Sequence, residues 1–376
     1  MKLQGKYNVA EIFTDNIDEM SISQIYNLLN NPGLADTKIA IMPDVHVGKG
    51  SVVGFTMTFK KYILPWLIGV DIGCGIIAYK VGPVDVDFEE LDSFLKGVIP
   101  SGRNIRGSIS KKELCDMSEL TDLINKVCLN KHHSVLGSIG TLGGGNHFIE
   151  LDKDPSGNVW VVVHSGSRGL GLDVCHYHQN KAKEYVKKEF NGAGAYHGME
   201  FMPLDEGGDE YLQDMKVTQK YADLNRREMC REIIENYFGV RISKCEVISS
   251  THNYFNFEDN IIRKGAISAH DGERVIIPLN MRDGCIIATG KGNKSWNYSA
   301  PHGAGRLFSR GDAKGLFAVE EYAKEMEGIF SSCINSSTLD ESPMAYKPSQ
   351  EIVGAVTDTV EISYIMKPIY NFKAGN

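Results

Sequence analysis

The chain has 376 residues, room for one large domain or two ordinary ones, and its 42% hydrophobic and 23% charged content is that of a folded globular protein. No apolar run reaches the roughly 18 residues that cross a bilayer, and the first residues, M-K-L-Q-G-K-Y-N, lack an apolar signal segment, so the expected location is cytoplasmic, with no membrane partner. The eight cysteines are too scattered for a disulfide framework, and the net charge of -8 argues against a broad basic footprint for nucleic acid, although bound divalent cations would reverse that sign locally.

In chain order, Lys38–Met42 predicts a strand running into Pro43-Asp44-Val45-His46. Ile63–Val70 predicts a strand running into Asp71-Ile72-Gly73-Cys74. Glu89–Lys96 and Lys111–Asn130 carry helical patterning, and the triple glycine Gly143–Gly145 then opens onto Asn146, His147, Phe148, Ile149 and Glu150. The β-branched run Val159–Val163 predicts a strand that delivers His164 into Ser165-Gly166-Ser167-Arg168. Leu172–Phe190 and Asp209–Phe238 predict helices, the second with Tyr211, Met215, Ala222 and Met229 at spacings that share one face. Thr251-His252-Asn253 follows, and two strands, Arg274–Pro278 and Cys285–Thr289, flank a turn at Arg282-Asp283-Gly284. Pro301-His302-Gly303-Ala304-Gly305-Arg306 precedes a predicted helix over Arg310–Phe330. Strands and helices interleave irregularly, which predicts a single α+β domain over 1–376, with its Gly-rich strand-end loops converging on one deep cleft.

Those loops carry the chemistry. Asp71, Cys74, His147, His164 and His252 are donors of the kind that bind borderline divalent ions, and two intervening residues let one turn aim Asp71 and Cys74 at the same ion. Exposed backbone amides of Gly143–Gly145 can cradle an anion, and the hydroxyls and guanidinium of Ser165–Arg168 suit a phosphate. His302 sits between glycines and Arg306 without a P-loop pattern and without an acidic or serine partner in its own segment. Such a histidine attacks phosphorus when another group orients it and cations neutralise the phosphate. Taken singly, each motif also reads as a buried cysteine, a glycine hairpin or a polar strand cap. The remaining histidines, His132, His133, His176, His178, His197 and His270, lack such settings and read as structural or surface residues.

Together, D-I-G-C-G, T-L-G-G-G-N-H-F-I-E, H-S-G-S-R-G, T-H-N-Y, R-K-G-A and H-G-A-G-R resemble the RNA-splicing ligase RtcB family over nearly the whole chain. The resemblance implies a deep two-metal cleft. It implies joining of RNA 3′-phosphate or 2′,3′-cyclic phosphate ends to 5′-hydroxyl ends, with GTP, two Mn²⁺ ions and a histidine–GMP intermediate. Carried over by position, Asp71, Cys74 and His147 hold one ion, and Cys74, His164 and His252 the other, with the thiolate bridging. His302 takes GMP. Asn146 meets the nucleotide phosphates, Glu150 and Lys373 hold guanine, and Tyr346 stacks on the base. Phe148, Ile149, Asn253, Pro278, Leu279, Asn280, Met281, Cys285, Gly303, Ala304 and Gly305 line the nucleotide pocket. His46, Arg168 and Arg306 are the RNA contacts, and a monomer is expected. Two positions depart from the family. Pro278-Leu279-Asn280-Met281-Arg282 replaces its P-G-S-M-G, with Asn280 able to stand in for the serine donor, and Cys285 falls where many relatives have serine. A metal-dependent cyclic phosphodiesterase and an RNA-end-binding paralogue without ligase activity are the rival readings.

Overall fold

Short β-branched runs bounded by glycine and proline form two largely antiparallel sheets in the computed structural model, which describes residues 1–107, 118–190 and 196–374. One sheet has six strands in the order Lys2–Gln4, Val9–Ile12, Ile39–His46, Val53–Thr58, Ile261–Lys264, Asn253–Asn256, and only the pairing of Val9–Ile12 with Ile39–His46 is parallel. The other has seven, in the order Glu246–Thr251, Gly75–Gly82, Val159–Ser165, Phe148–Lys153, Val360–Phe372, Cys285–Gly290, Arg274–Pro278. The mixture is α+β, since antiparallel neighbours rule out a doubly wound parallel sheet.

Val159–Ser165 explains why its sequence is continuously apolar. All seven residues are buried, with layers on both faces. One face meets the 24-residue helix Gly208–Arg231, whose Tyr211, Met215, Ala222 and Met229 are all buried as their spacing predicts. The other face, with Trp160 and Val162, packs with Ile76, Phe148, Ile276 and Ile287.

Of the places where the chain passes from one sheet to the other, one is a single residue long. Glu246–Thr251 is an edge strand of the seven-stranded sheet, Asn253–Asn256 is an edge strand of the six-stranded sheet, and His252 is the single residue between them. Its backbone N–H donates to Cys74 O at 2.9 Å and its carbonyl accepts from Ala266 N at 3.3 Å, so it is tied to both sides of the joint.

Three predicted elements differ. Ile63–Val70 is not a strand: only Tyr62–Ile63 pairs, and Pro65–Ile68 forms a helical turn with Pro65 at its start, where its fixed φ and missing N–H favour a helix N-terminus. Arg310–Phe330 divides into Arg310–Leu316 and Val319–Glu325 because Phe317 and Ala318 are extended, and Ser309 and Glu321 each close a separate N-terminus. Of Lys111–Asn130, residues 111–117 lie outside the described residues, and Ser118–Val127 is helical. Among the described residues no helix is long and apolar enough to cross a membrane.

Candidate active site

A cavity of about 740 Å³ opens where the two sheets meet, a size typical of small-molecule sites. Its wall takes Asp71, Cys74, Asn146, Phe148, Glu150, His164 and His252 from loops and strands before residue 260, and His302, Gly303–Arg306, Tyr346 and Lys373 from the last third of the chain.

At one end, five side chains converge. Cys74 Sγ lies 3.3 Å from His164 Nε2 and 3.6 Å from His147 Nε2. His164 Nε2 lies 3.3 Å from His252 Nε2, and His147 Nε2 lies 3.2 Å from Asp71 Oδ2. The donors form two overlapping triads, Asp71–Cys74–His147 and Cys74–His164–His252, sharing Cys74. Backbone contacts fix the ring faces. His147 Nδ1 is 2.9 Å from Leu142 O and His164 Nδ1 is 3.1 Å from Asn146 O. A carbonyl only accepts, so Nδ1 carries the proton in both rings and each Nε2 turns its lone pair inward. Lone pairs facing one another at 3.3 Å repel unless a cation lies among them.

Burial, then the Asp71 carboxylate, pushes the Cys74 thiol well above its usual range. Burial, then neighbouring imidazoles, pushes His164 and His252 well below theirs. Burial alone would raise Asp71, but its contacts, with His147 first and then with Cys74 and the Ser167 amide, outweigh it and hold the carboxyl low. Beside His147, the resting set is thus His164 and His252 as neutral imidazoles, a thiol and a carboxylate, and a divalent ion that displaces the thiol proton suits it.

Two features hold this end in place. Gly166 passes so close to Asp71 that a Cβ there would sit 2.1 Å from its carboxylate oxygen. Arg226, fully buried on the long helix, donates through Nη1 to Gly73 O at 2.6 Å and Ser165 O at 2.9 Å, clasping the loop of Cys74 to the strand of His164. Its neighbour Asn225 bonds Gly166 O. Neither was singled out from sequence.

His302 stands beside His252, with ring centroids 4.9 Å apart. Its Nδ1 donates to Asp44 Oδ2 at 2.6 Å, and its backbone N–H reaches the same oxygen at 3.3 Å. Asp44 is fully buried. The acidic partner missing from the H-G-A-G-R segment therefore exists, 258 positions earlier in the chain, in the P-D-V-H run at the end of Ile39–His46. His302 Nε2 is left as the lone-pair nitrogen.

The opposite end is organised by Glu341, another residue the sequence reading did not single out. Lys373 Nζ donates to Glu341 Oε2 at 2.6 Å, Tyr346 Oη to the same oxygen at 2.8 Å, and Arg306 and Arg310 to Oε1 at 3.1 and 2.6 Å. Burial opposes its charge, but Lys373, Arg310 and Arg306 hold the Glu341 carboxyl down at about 2. Arg306 also lies 5.1 Å over the Tyr346 ring. Behind Phe148, Glu150 accepts from Asn371 Nδ2, and with Asp152 and Cys285 it forms a third buried cluster. Burial pushes Asp152 up to about 7 and, followed by the charge of Asp152, lifts Glu150 well above the carboxylate range.

Four expected site residues are placed differently. Arg168 does not line the cavity; its backbone is left-handed and its guanidinium donates to Thr141 Oγ1 at 3.1 Å and Gly102 O at 2.7 Å, tying those loops together. Ile149, alternating with Phe148 and Glu150 along one strand, points into the core on the opposite face. Cys285 lies behind the cavity wall, in the cluster with Glu150. Asn280 lines the cavity, but its amide is engaged: Nδ2 donates to Asp283 Oδ2 at 2.8 Å and Oδ1 accepts from the backbones of Arg282 and Asp283. It is a turn-forming residue and not the free donor that replacement of a serine would need. His46 and Arg306 do line the cavity.

The tRNA-splicing ligase RtcB family model matches residues 24–133 and 122–374. RNA-splicing ligase RtcB of Escherichia coli strain K12 and RNA-splicing ligase RtcB1 of Escherichia coli strain ATCC 25922 are each 32% identical to this chain over 367 residues, covering 88% of both partners in each comparison. The tRNA-splicing ligase RtcB of Methanococcus maripaludis is 26% identical over 447 residues, covering 96% of this chain and 92% of its own. A match of this extent places the protein in the RtcB family.

Proposed function

We propose that the protein is a GTP- and Mn²⁺-dependent RNA ligase that joins 3′-phosphate or 2′,3′-cyclic phosphate ends to 5′-hydroxyl ends through GMP carried on His302. The observation that carries this reading is the His302–Asp44 pair set against the Asp71/Cys74/His cluster within one cavity. Asp71, Cys74 and His147 would hold one ion, and Cys74, His164 and His252 a second. Bound there, two divalent ions neutralise phosphate charge and align the phosphorus for attack.

Asp44 fixes the tautomer of His302, so Nε2 presents its lone pair to the α-phosphorus of GTP. As the Nε2–P bond forms, pyrophosphate leaves and the imidazole becomes cationic. The Asp44 carboxylate, 2.6 Å from Nδ1, stabilises that charge. GMP then passes to the RNA 3′-phosphate, and the 5′-hydroxyl displaces it. The fully buried position of Asp44 keeps water from competing for the Nδ1 proton. Replacement of Asp44 by asparagine keeps the shape and removes the charge. Guanylylation of His302 is expected to slow by roughly 10²-fold or more, with metal content unchanged. Rapid-quench measurement of labelled GMP transfer, beside elemental analysis, checks this, and an unchanged rate would remove Asp44 from the mechanism.

The base end supports guanine. Guanine's N1–H and exocyclic amine, a donor pair that adenine lacks, would stabilise the ionised form of Glu150 that burial otherwise disfavours, while Lys373, locked by Glu341, would present a cation to O6. Leaving one such buried partner unpaired costs roughly 1–3 kcal/mol. Glu150→Gln should therefore narrow GTP-over-ATP selectivity by about tenfold or more. Paired guanylylation and adenylylation assays read this directly, and wild-type protein that uses ATP as readily as GTP would refute the base assignment while leaving His302 as nucleophile. The whole reading is tested by incubating the protein with labelled GTP, Mn²⁺ and an RNA bearing the two end types. If neither an acid-labile GMP adduct nor a joined product forms, the phosphodiesterase alternative is favoured.

A further inference from the structure

Glu150 and Asp152 are on the same face of Phe148–Lys153, and Cys285 opens a strand on the other side of Val360–Phe372 in the same sheet. One donor atom from each lies within 4.8 Å of the others, and Cys285 Sγ is 4.0 Å from Glu150 Oε2. All three are buried, in a surround that includes Trp160, Val162, Ile276 and Ile287. Among the described residues neither oxygen of Asp152 has a hydrogen-bond partner of good geometry, the Cys285 thiol being its polar neighbour, and Oδ1 of the fully buried Asn371, whose Nδ2 donates to Glu150, has none either.

Buried carboxylates are retained where they are paired, protonated or bound to metal. A shared proton satisfies at most two oxygens, and a water donates two hydrogens. Neither fills the three bare acceptors of Asp152 and Asn371 at once. A cation does, since each donor it gathers needs no hydrogen. Tetrahedral bonds of about 2.0–2.3 Å separate neighbouring ligand atoms by about 3.5 Å, so small side-chain rotations close the cluster.

We propose that Glu150, Asp152 and Cys285, with Asn371 beside them, hold a divalent cation of the zinc class behind the base end of the cavity, in addition to any ions on the Asp71/Cys74/His cluster. On binding, Cys285 and Glu150, and Asp152 where it is protonated, release their protons to solvent, and two carboxylates and a thiolate face the dication, with Lys373 close enough to Glu150 to offset the remaining charge. The ion would fix the carboxylate of Glu150 against the cavity wall. The site stands whether or not the nucleotide reading does, since its test reads metal and not ligation.

The experiment uses full-length protein stripped with chelator, reloaded with Zn²⁺, desalted and analysed for metal per chain. The expected content falls by one equivalent in Cys285→Ser and in Asp152→Asn, while the Cys74→Ala variant retains the equivalent that these lose. Unchanged content in both Cys285→Ser and Asp152→Asn would overturn the proposal. Cobalt loading of Cys74→Ala gives a second readout should those two variants fail to fold. Thiolate-to-cobalt absorption that persists without Cys74 supports the site, and its absence refutes it.

Discussion

Replacing His302 with alanine is expected to abolish the GMP adduct and RNA joining while leaving metal content at the wild-type level. The expectation follows from two distinct attachments. His302 is held by Asp44, from the six-stranded sheet, whereas both donor triads are complete without it. Removal of its ring opens space beside His252 but takes no donor from either triad. Intact-mass spectrometry after incubation with GTP and Mn²⁺ gives the answer. An adduct surviving in the variant, or mapped to another residue of the wild type, would end the nucleophile assignment. Loss of metal together with the adduct would show that His302 is itself a ligand.

Replacing Cys74 is expected to have the largest effect on metal binding, lowering the content by two equivalents where His252→Ala lowers it by one. Cys74 is the one residue common to both triads, and its sulfur touches imidazoles from each. A thiolate bridge makes the two ions mutually dependent, because each lowers the repulsion the sulfur offers the other. Titration of stripped variants with Mn²⁺ distinguishes the cases. Equal one-equivalent losses in the two variants would mean that the sulfur serves a single ion.

The convergence of Asp71, Cys74 and the three histidines was legible because these donors sit in short motifs beside glycines, where a local pattern and the final geometry coincide. Cys74 illustrates this: Gly73, with φ of 79°, gives the turn that displays it, and both facts are contained in four consecutive residues. Asp44 and Glu341 were not legible as partners. Each acts on residues distant in sequence, Asp44 on His302 across 258 positions, and a lone acidic residue carries no mark of what it will face. Arg226 looked like one more polar residue on a long helix, and its burial depends on two carbonyls from other elements. The fold shows the same division. The long helix and the valine-rich strand followed from periodicity and composition, whereas Ile63–Val70 reads as a strand by composition and is bent into a helical turn by Pro65. The internal contacts of Arg168 were hidden for a related reason: an arginine after Gly and Ser has phosphate-binding chemistry, and nothing local shows that its guanidinium also holds the carbonyl of Gly102.

The placement of His252 at the one-residue joint between the sheets limits how this molecule can move. Any rocking of one sheet against the other must be absorbed at the backbone of a residue whose N–H holds Cys74, whose ring faces both His164 and His302, and whose carbonyl holds Ala266. A clamshell opening would dismantle the centre that it was meant to expose. Access to the cavity is then expected through its open mouth and by motions of individual loops. Hydrogen exchange should find the amide of His252 opening together with the sheet core, and more slowly than the loops that rim the cavity.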